Sequence, residues 1–164
     1  MVYSRNQKEK NKRGKLLKYA VVSFLIFLLD QSSKLWVQFT MEEGQSIPLL
    51  KPVLYFTYVL NPGAAFGLFP QRRGLLIAVG LLAIFLVYYY RRELQDQGPI
   101  TKWGVSLALA GAMGNFIDRT RIGYVVDFID IVFWPVFNVA DIAIVSGVGL
   151  LFWEVLADAR TQRQ

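Results

Sequence analysis

The sequence predicts an all-α membrane protein with four transmembrane helices and short strands and turns on one membrane surface. Composition is the first basis for this prediction: 54% of the 164 residues are hydrophobic, 18% are charged and the mean hydropathy is +0.37. Soluble domains carry roughly 25% charged residues, so a soluble globule is disfavoured. The second basis is a set of four apolar stretches, each close to the roughly 17–25 residues that cross a bilayer as a helix.

Basic residues crowd the N-terminus, where seven Lys and Arg occupy the first eighteen positions against one acidic residue, Glu9. Because an apolar stretch follows directly, an anchor to anionic lipid is favoured over a nucleic-acid-binding tail, and we expect no nucleic-acid partner. Residues 1–15 are therefore predicted to be a basic cytoplasmic tail. No small-residue cleavage site follows Leu29, so the first apolar stretch is interpreted as a retained anchor and not as a cleaved signal peptide.

The four predicted helices follow one another within residues 16–158, which we interpret as the membrane domain. They cover Leu16–Leu29 with its continuation through DQSSK and LWVQF, Gly74–Tyr90, Trp103–Ile117 and Val139–Ala157. The second is apolar throughout, whereas the others reach a spanning length only by including polar residues.

Lys and Arg near the helix ends predict the orientation in the membrane. If the N-terminus is cytoplasmic, twelve of these basic residues lie on its side of the membrane and six lie on the other side or within a helix. This excess predicts that both termini, including a short tail of residues 159–164, are cytoplasmic.

Two segments are predicted to lie outside the membrane. Residues 39–73 contain PVLYFTYVL, which is rich in β-branched and aromatic residues, followed by the turn-forming sequence NPG at Asn61–Gly63. Residues 118–138 contain the β-like stretch YVVDFIDIVF, which Pro135 closes. Both segments predict short strands and turns on the membrane surface.

Polar residues inside the predicted helices are candidates for function, because an ionisable group in hydrocarbon is costly unless it is paired or faces a wet cavity. Asp30 and Lys34 stand four residues apart, which places them on one helix face. They form either a structural ion pair or a pair that lines a site and orients other polar groups.

Two further pairs are three residues apart at the outer helix ends. Asn115 and Asp118 end the third helix beside Arg119, where a local Asp118–Arg119 interaction is the structural alternative to a site. Asn138 and Asp141 begin the fourth helix, where Asn138 suits a helix cap and Asp141 suits the positive end of the helix dipole. Capping does not by itself explain a carboxylate that is followed by an apolar helix.

Four carboxylates, those of Asp118, Asp127, Asp130 and Asp141, are expected near one membrane face. Neighbours in a strand alternate between its faces, so Asp127 and Asp130 are predicted to point to opposite sides. Two carboxylates that share one proton can hydrolyse a carbonyl compound, because the ionised partner takes a proton from water and the protonated partner polarises the carbonyl. The residues alone do not indicate which two of the four would do so.

The absence of cysteine and histidine excludes disulfides, thiolate metal sites, cysteine nucleophiles and histidine bases. A Ser–Lys dyad is left as the competing hydrolytic scheme. Ser32 and Ser33 adjoin Lys34, but adjacent residues on a helix face different directions, which disfavours this scheme.

Five short blocks, in this order, resemble the lipoprotein signal peptidases, also called signal peptidase II. They are DQSSK at Asp30–Lys34, NPGAAFGLF at Asn61–Phe69, GAMGNFIDR at Gly111–Arg119, VVDFID at Val125–Asp130 and FNVAD at Phe137–Asp141. The resemblance extends from about Leu16 to Ala157, through all four predicted helices.

The resemblance implies a bacterial inner-membrane aspartyl protease that removes the signal peptide of prolipoproteins by cutting before the diacylglyceryl-modified Cys. It implies Asp127 and Asp141 as the catalytic pair, with neither metal nor cofactor. The implied supporting and substrate-binding positions are Asp30, Lys34, Asn61, Gly63, Asn115, Asp118, Arg119 and Asn138. Residues 39–73 would form a small extracytoplasmic β-rich cradle for the substrate, with the site near the outer leaflet.

The expected partners are a lipidated prolipoprotein substrate and membrane lipids, with the chain acting as a monomer, and the cyclic depsipeptide globomycin is an expected inhibitor.

An ion- or proton-coupled transporter is the alternative function, since carboxylates and a lysine among helices also mark ion paths. That alternative predicts polar residues spread through the depth of the bilayer. A non-enzymatic membrane scaffold explains none of the clustered Asp and Asn residues.

Overall fold

The computed structural model describes residues 2–63 and 72–161, with side chains from residue 17 to residue 160 within those ranges. This part of the chain is mostly helical and contains one small antiparallel sheet. Its elements are α1 (Val2–Thr40), β1 (Ser46–Leu50), β2 (Leu54–Asn61), α2 (Arg73–Tyr89), α3 (Arg91–Asp96), α4 (Pro99–Arg121), β3 (Val125–Asp130) and α5 (Val139–Thr161). Residues 64–69 of the NPGAAFGLF block lie outside the described residues, as do the side chains of the predicted basic tail.

Each of the four predicted helices corresponds to one long helix of the structure, namely α1, α2, α4 and α5. The polar sequence DQSSK does not interrupt α1, which continues to Thr40. The structure adds the short helix α3, which the hydrophobic pattern does not predict because RRELQD has no apolar periodicity.

Two of these helices are long and apolar enough to cross a membrane, over Leu17–Thr40 and Val139–Arg160. Helix α2 is apolar but shorter, at 17 residues. Helix α4 is long but includes the polar sequence NFIDR at its C-terminal end. The arrangement with four membrane spans therefore stays a prediction.

Helix α4 is the central helix, because it packs against α1, α2 and α5. Glycines allow the closest approach, which is to α5. A Cβ atom at Gly104 would lie 2.8 Å from Cγ of Leu151, and one at Gly147 would lie 2.5 Å from the carbonyl oxygen of Gly104. A Cβ at Gly111 would overlap the carbonyl oxygen of Ala140. Small residues of this kind let helix backbones meet directly in membrane proteins.

The sheet has the order β1-β2-β3, with both neighbouring pairs antiparallel. Strands β1 and β2 come from the first predicted outer segment and β3 comes from the second, so one sheet joins the two. Strand β3 pairs with β2 so that Val59 lies opposite Asp127 and Asn61 lies opposite Val125. This register sets Asn61 and Asp127 one diagonal step apart, within reach of each other.

A small apolar core attaches the sheet to the C-terminal end of α1. It consists of Val37, Met41, Tyr58, Val126 and Phe128, all buried. Because successive strand residues alternate between faces, burying Val126 and Phe128 on this side directs Asp127 to the other side, towards the helices. The sheet packing thus decides which way the predicted catalytic carboxylate points.

We expect Gly147→Ala to destabilise the protein, since the new Cβ would press on Gly104 and lie 2.6 Å from the backbone nitrogen of Ala108. Overpacking of this kind costs about 1–3 kcal/mol. Gly149→Ala is the matched control on the same helix, because nothing lies within 4 Å of its Cβ position. Thermal unfolding in detergent should show a lower Tm for Gly147→Ala and an unchanged or higher Tm for Gly149→Ala; equal Tm values would contradict the close packing.

Candidate active site

A buried cation occupies the centre of the polar cluster. The Nζ of Lys34 lies 2.9 Å from Oδ2 of Asp30 and 2.9 Å from Oδ2 of Asp118, and all three side chains are at most 1% exposed. The predicted Asp30–Lys34 ion pair is therefore confirmed, and Asp118 of α4 extends it to a group of three. A buried charge is tolerated only with such compensation, because its desolvation is expensive.

Both carboxylates of this group also accept backbone N–H groups from neighbouring elements. Oδ1 of Asp30 accepts the N–H of Ala140 at 2.9 Å, at the start of α5. Oδ2 of Asp118 accepts the N–H of Val126 at 3.3 Å, in β3. Asp118 therefore has Lys34 and Val126 as partners, and the expected local Asp118–Arg119 interaction is not the principal contact of this carboxylate.

Asn115 connects the buried cation to Asp141. Its Oδ1 accepts a hydrogen bond from Lys34 Nζ at 2.9 Å, which fixes the orientation of the amide. Its Nδ2 donates to Oδ1 of Asp141 at 2.8 Å. Lys34 thus acts on Asp141 through a neutral amide and does not form a direct ion pair with it.

Asn138 performs two tasks at the start of α5. As expected, it caps the helix: its Oδ1 accepts the N–H of Asp141 at 2.9 Å, and Oδ2 of Asp141 accepts the N–H of Asn138 at 3.3 Å. This reciprocal pair has the geometry of a capping box. The Nδ2 of Asn138 also donates to Oδ1 of Asp127 at 2.6 Å and to Oδ1 of Asn115 at 3.3 Å. The two amides therefore stand between the carboxylates of Asp127 and Asp141.

Asp127 is 2% exposed and has an amide donor on each carboxylate oxygen. Asn61 of β2 donates to Oδ2 at 2.8 Å, and Asn138 donates to Oδ1. Burial, and after it the neighbouring Asp141 carboxylate, raise the pKa of Asp127 from 3.8 to about 7, although the two amide donors and the charge of Lys34 oppose this shift. Near neutral pH this carboxyl can therefore hold a proton while another carboxylate of the site is ionised.

Arg119 connects the site to the turn that follows β2. One guanidinium nitrogen donates to the carbonyl oxygen of Gly63 at 2.8 Å, and the other donates to the carbonyl oxygen of Asn115 at 3.3 Å. The side chain of Asn61 accepts the N–H of Gly63 at 2.9 Å, which orders the same turn. Arg119 thus positions the backbone that carries Asn61.

The structure brings all ten predicted site residues into this one network. A cavity of about 610 Å³ begins at its polar end and continues between α2, α4 and α5. The polar lining consists of Asn61, Asn115, Arg119, Asp127 and Asp141, and the apolar lining includes Val79, Ala83, Ala108, Ile144, Val148 and Leu151. The arrangement can hold a polar reacting group at the carboxylates and an apolar chain along the helices.

Asp130 lies outside this network, as strand alternation predicts. Its Oδ2 accepts a hydrogen bond from Thr57 Oγ1 at 2.8 Å. The Ser–Lys scheme finds no support in the contacts, because the ammonium of Lys34 is surrounded by carboxylates and an amide, and Ser33 Oγ donates to the backbone of Asp30.

Gln31 is a network member that the sequence does not single out. Its Nε2 donates to Oδ2 of Asp30 and Oδ1 of Asp118, both at 3.1 Å, and to the carbonyl oxygen of Gly114 at 3.2 Å. Its position inside the DQSSK block is the one sequence signal that could have indicated it. A Cβ at Gly114 would overlap Oδ2 of Asp30, so this glycine makes room for the buried carboxylate.

The sequence of this chain is similar to those of known proteins, which share one family. A protein-family model described as "Signal peptidase (SPase) II" matches residues 22–157. The lipoprotein signal peptidase of Pelotomaculum thermopropionicum is 44% identical over 141 residues, which is 85% of this chain and 91% of that protein. The lipoprotein signal peptidase of Halothermothrix orenii is 46% identical over 133 residues, or 80% and 90% of the two chains.

Solved structures show the same fold. One, described as a bacterial membrane enzyme solved by the in meso method at 2.3 Å resolution, superposes with a TM-score of 0.81 at 30% identity. The superposition covers 87% of this chain and 89% of that one. A second bacterial membrane enzyme, solved at 1.9 Å, gives a TM-score of 0.75 at 32% identity over 86% and 94% of the two chains.

We expect Lys34→Met to lower both stability and turnover. The change leaves Asp30 and Asp118 as buried carboxylates without their cation, and breaking a buried pair costs about 3–5 kcal/mol. It also releases Asn115, which orients Asp141. The control is Lys51→Met, a change at an exposed lysine, which should leave both Tm and cleavage unaffected. A fully stable Lys34→Met protein without turnover would instead indicate direct participation of Lys34 in the chemistry.

Proposed function

Because the chain belongs to the signal peptidase II family, we propose that it is an aspartyl endopeptidase of the bacterial membrane, with Asp127 and Asp141 as its catalytic pair. It removes signal peptides from prolipoproteins, and the proposed cleavage is before the diacylglyceryl-modified Cys. The observation that carries the assignment is geometric: Asn138 donates to the buried Asp127 carboxyl, Asn115 donates to Asp141, and both carboxylates line one cavity. The raised pKa of Asp127, about 7, agrees with a pair that holds a single proton.

The proposed reaction begins with Asp127 protonated and Asp141 ionised. Asp141 takes a proton from a water molecule as the water oxygen attacks the carbonyl carbon of the scissile peptide, while the Asp127 proton polarises the carbonyl oxygen. The tetrahedral intermediate then collapses and the leaving amine receives a proton from the pair. Asp141 suits the ionised role, since it lies in the first turn of α5, at the positive end of the helix dipole.

The supporting residues that hydrogen-bond to the side chains of this pair do so through neutral amides. Asn61, Asn115 and Asn138 donate one hydrogen bond each to a carboxylate of the pair. Lys34 with Asp30 and Asp118 fixes Asn115, and Arg119 fixes the turn that carries Asn61. We assign these residues positioning roles, with Gly63 supplying the carbonyl oxygen that Arg119 binds.

The substrate-binding surface is proposed to be the cavity between α2, α4 and α5. Its apolar walls suit the hydrophobic signal peptide and the lipid chains of a diacylglyceryl-modified precursor, and its polar end suits the scissile bond. Concentration of the polar groups at one end supports the enzyme over a transporter, which would need them along a path through the bilayer.

For the membrane arrangement we propose four spans, both termini in the cytoplasm and a site near the outer leaflet. The end far from the site carries the interfacial residues that such an orientation requires. Lys18 Nζ lies 4.9 Å from the ring centre of Tyr19 and 5.7 Å from that of Trp103. The Arg91 guanidinium lies 4.1 Å from the ring centre of Tyr88. Every residue of α2 is at least partly exposed, which suits a helix in contact with lipid.

Asp127→Asn and Asp141→Asn are each expected to abolish cleavage of a lipidated precursor peptide, because an amide keeps the shape but cannot exchange the proton. Both variants should remain folded, and Asp127→Asn should have a Tm at or above that of the unchanged protein. Asp130→Asn is the matched control and should retain most of the activity, since Asp130 lies outside the network. Turnover above about one tenth of normal by either dyad variant would refute the assignment. Chelators are expected to have no effect.

The pH dependence should be bell-shaped, because the pair works only when it holds a single proton. Activity should fall as the pH rises past about 7, where Asp127 loses its proton. Since the folded-state pKa lies above the unfolded value of 3.8, the stabilisation from this group is complete at low pH and disappears as the pH rises to about 7. Asn has no proton to lose, so the Tm of Asp127→Asn should rise relative to that of the unchanged protein between pH 4 and pH 7. A constant difference in Tm would contradict the raised pKa.

A further inference from the structure

The loop between the two proposed catalytic residues has an unusual backbone. It connects β3, which carries Asp127, to α5, which carries Asp141, and an isolated antiparallel bridge between Ile129 and Phe137 closes it. At its tip, Val132 has a φ of 67°, in the left-handed region that β-branched residues rarely adopt. The N–H of Phe133 donates to the carbonyl oxygen of Ile131 at 2.8 Å, so the tip is a γ-turn centred on Val132, a strained type when φ is positive.

Asp130, the last residue of β3, stabilises this turn. Its Oδ1 accepts the N–H of Val132 at 2.8 Å, which favours the conformation that Val132 would not adopt alone. Its Oδ2 accepts the hydroxyl of Thr57 at 2.8 Å, and Thr57 is hydrogen-bonded to Ser46 Oγ at 2.9 Å. The Asp130 carboxylate in β3 therefore connects the turn directly to Thr57 in β2 and, through Thr57, to Ser46 in β1.

The residues after the turn belong to the cavity. Trp134, Pro135, Val136 and Phe137 line it together with Asp127 and Asp141. Trp134 is also half exposed, which places it at the rim of the cavity. The direction in which the chain leaves Val132 determines whether this indole reaches the cavity, because Pro135 limits the freedom of the residue before it.

We propose that Asp130 is a positioning residue for substrate binding: by holding the γ-turn at Val132, it keeps Trp134 in the cavity wall next to the scissile bond. The group recognised there is the apolar part of the lipidated precursor that lies beside the catalytic pair. The inference rests on the proposed function and extends it, because Asp130 takes no part in proton transfer. The strain at Val132 is retained because the conformation serves the binding surface.

Steady-state cleavage of a lipidated precursor peptide in detergent tests this role. Asp130→Ala should raise KM about fivefold, on the scale of one lost aromatic contact, with kcat changed less than about twofold. Asp130→Asn should behave like the unchanged protein, because its Oδ1 still accepts the Val132 N–H and its amide can donate to the Thr57 hydroxyl. Trp134→Ala should give the same rise in KM, and adding it to Asp130→Ala should raise KM little further.

The substitution Val132→Gly distinguishes an effect of the turn conformation on KM from an effect of lost protein stability. Glycine adopts a positive φ without steric cost, so in the Asp130→Ala background it should return KM at least halfway to normal while leaving any loss of Tm in place. An unchanged KM in either Asp130→Ala or Trp134→Ala would overturn the inference, as would a loss confined to kcat. If Asp130→Ala fails to fold, an unchanged KM in Trp134→Ala still overturns the inference. Failure of the unchanged protein to cleave the peptide would refute the proposed function itself, which is a distinguishable outcome.

Discussion

The ammonium of Lys34 is the constraint on which the arrangement of the site depends. An ammonium has three N–H donors, and the three acceptors within 2.9 Å are Asp30, Asp118 and Asn115. Because the two carboxylates also accept backbone N–H groups from α5 and β3, the cation indirectly fixes four elements, α1, α4, α5 and β3. A buried cation without these partners would be expensive, so the requirement for full compensation selects one relative placement of the elements.

Asparagine is the residue type that lets a charged cluster support a catalytic pair without neutralising it. An amide can accept from a cation and donate to a carboxylate at once, as Asn115 does between Lys34 and Asp141. Asn138 likewise caps α5 and donates to Asp127. A lysine or arginine in direct contact with Asp127 would favour its ionised form, whereas amide donors leave burial and Asp141 as the dominant effects on its pKa.

The polar network also depends on the small residues of α4 and α5, which allow these two helices to approach closely. Gly104 and Gly147 allow the two helix backbones to meet, and Gly114 leaves space for the Asp30 carboxylate. Only at this separation can Asn115 on α4 reach Asp141 on α5 at 2.8 Å. The α4–α5 packing also forms one wall of the cavity, so the same glycines shape the proposed substrate surface and set the geometry of the catalytic pair.

Local sequence determined the four long helices, strands β2 and β3 and the candidate polar residues, because apolar runs, β-branched stretches and i, i+3 or i, i+4 spacings are properties of neighbouring residues. The Asp30–Lys34 pair and the Asn138 cap were predictable for this reason. The sequence by itself could not rank Asp127 above Asp118, and resemblance to a family was needed to do so. Tertiary structure decided that Asp118 is the partner of Lys34, that β3 joins the sheet of the other outer segment, that Gln31 joins the buried ion group, and that Asp130 bonds to Thr57 and to the turn at Val132 instead. Those contacts join residues far apart in the chain, and only the folded packing determines which buried carboxylate meets the cation and which faces the cavity.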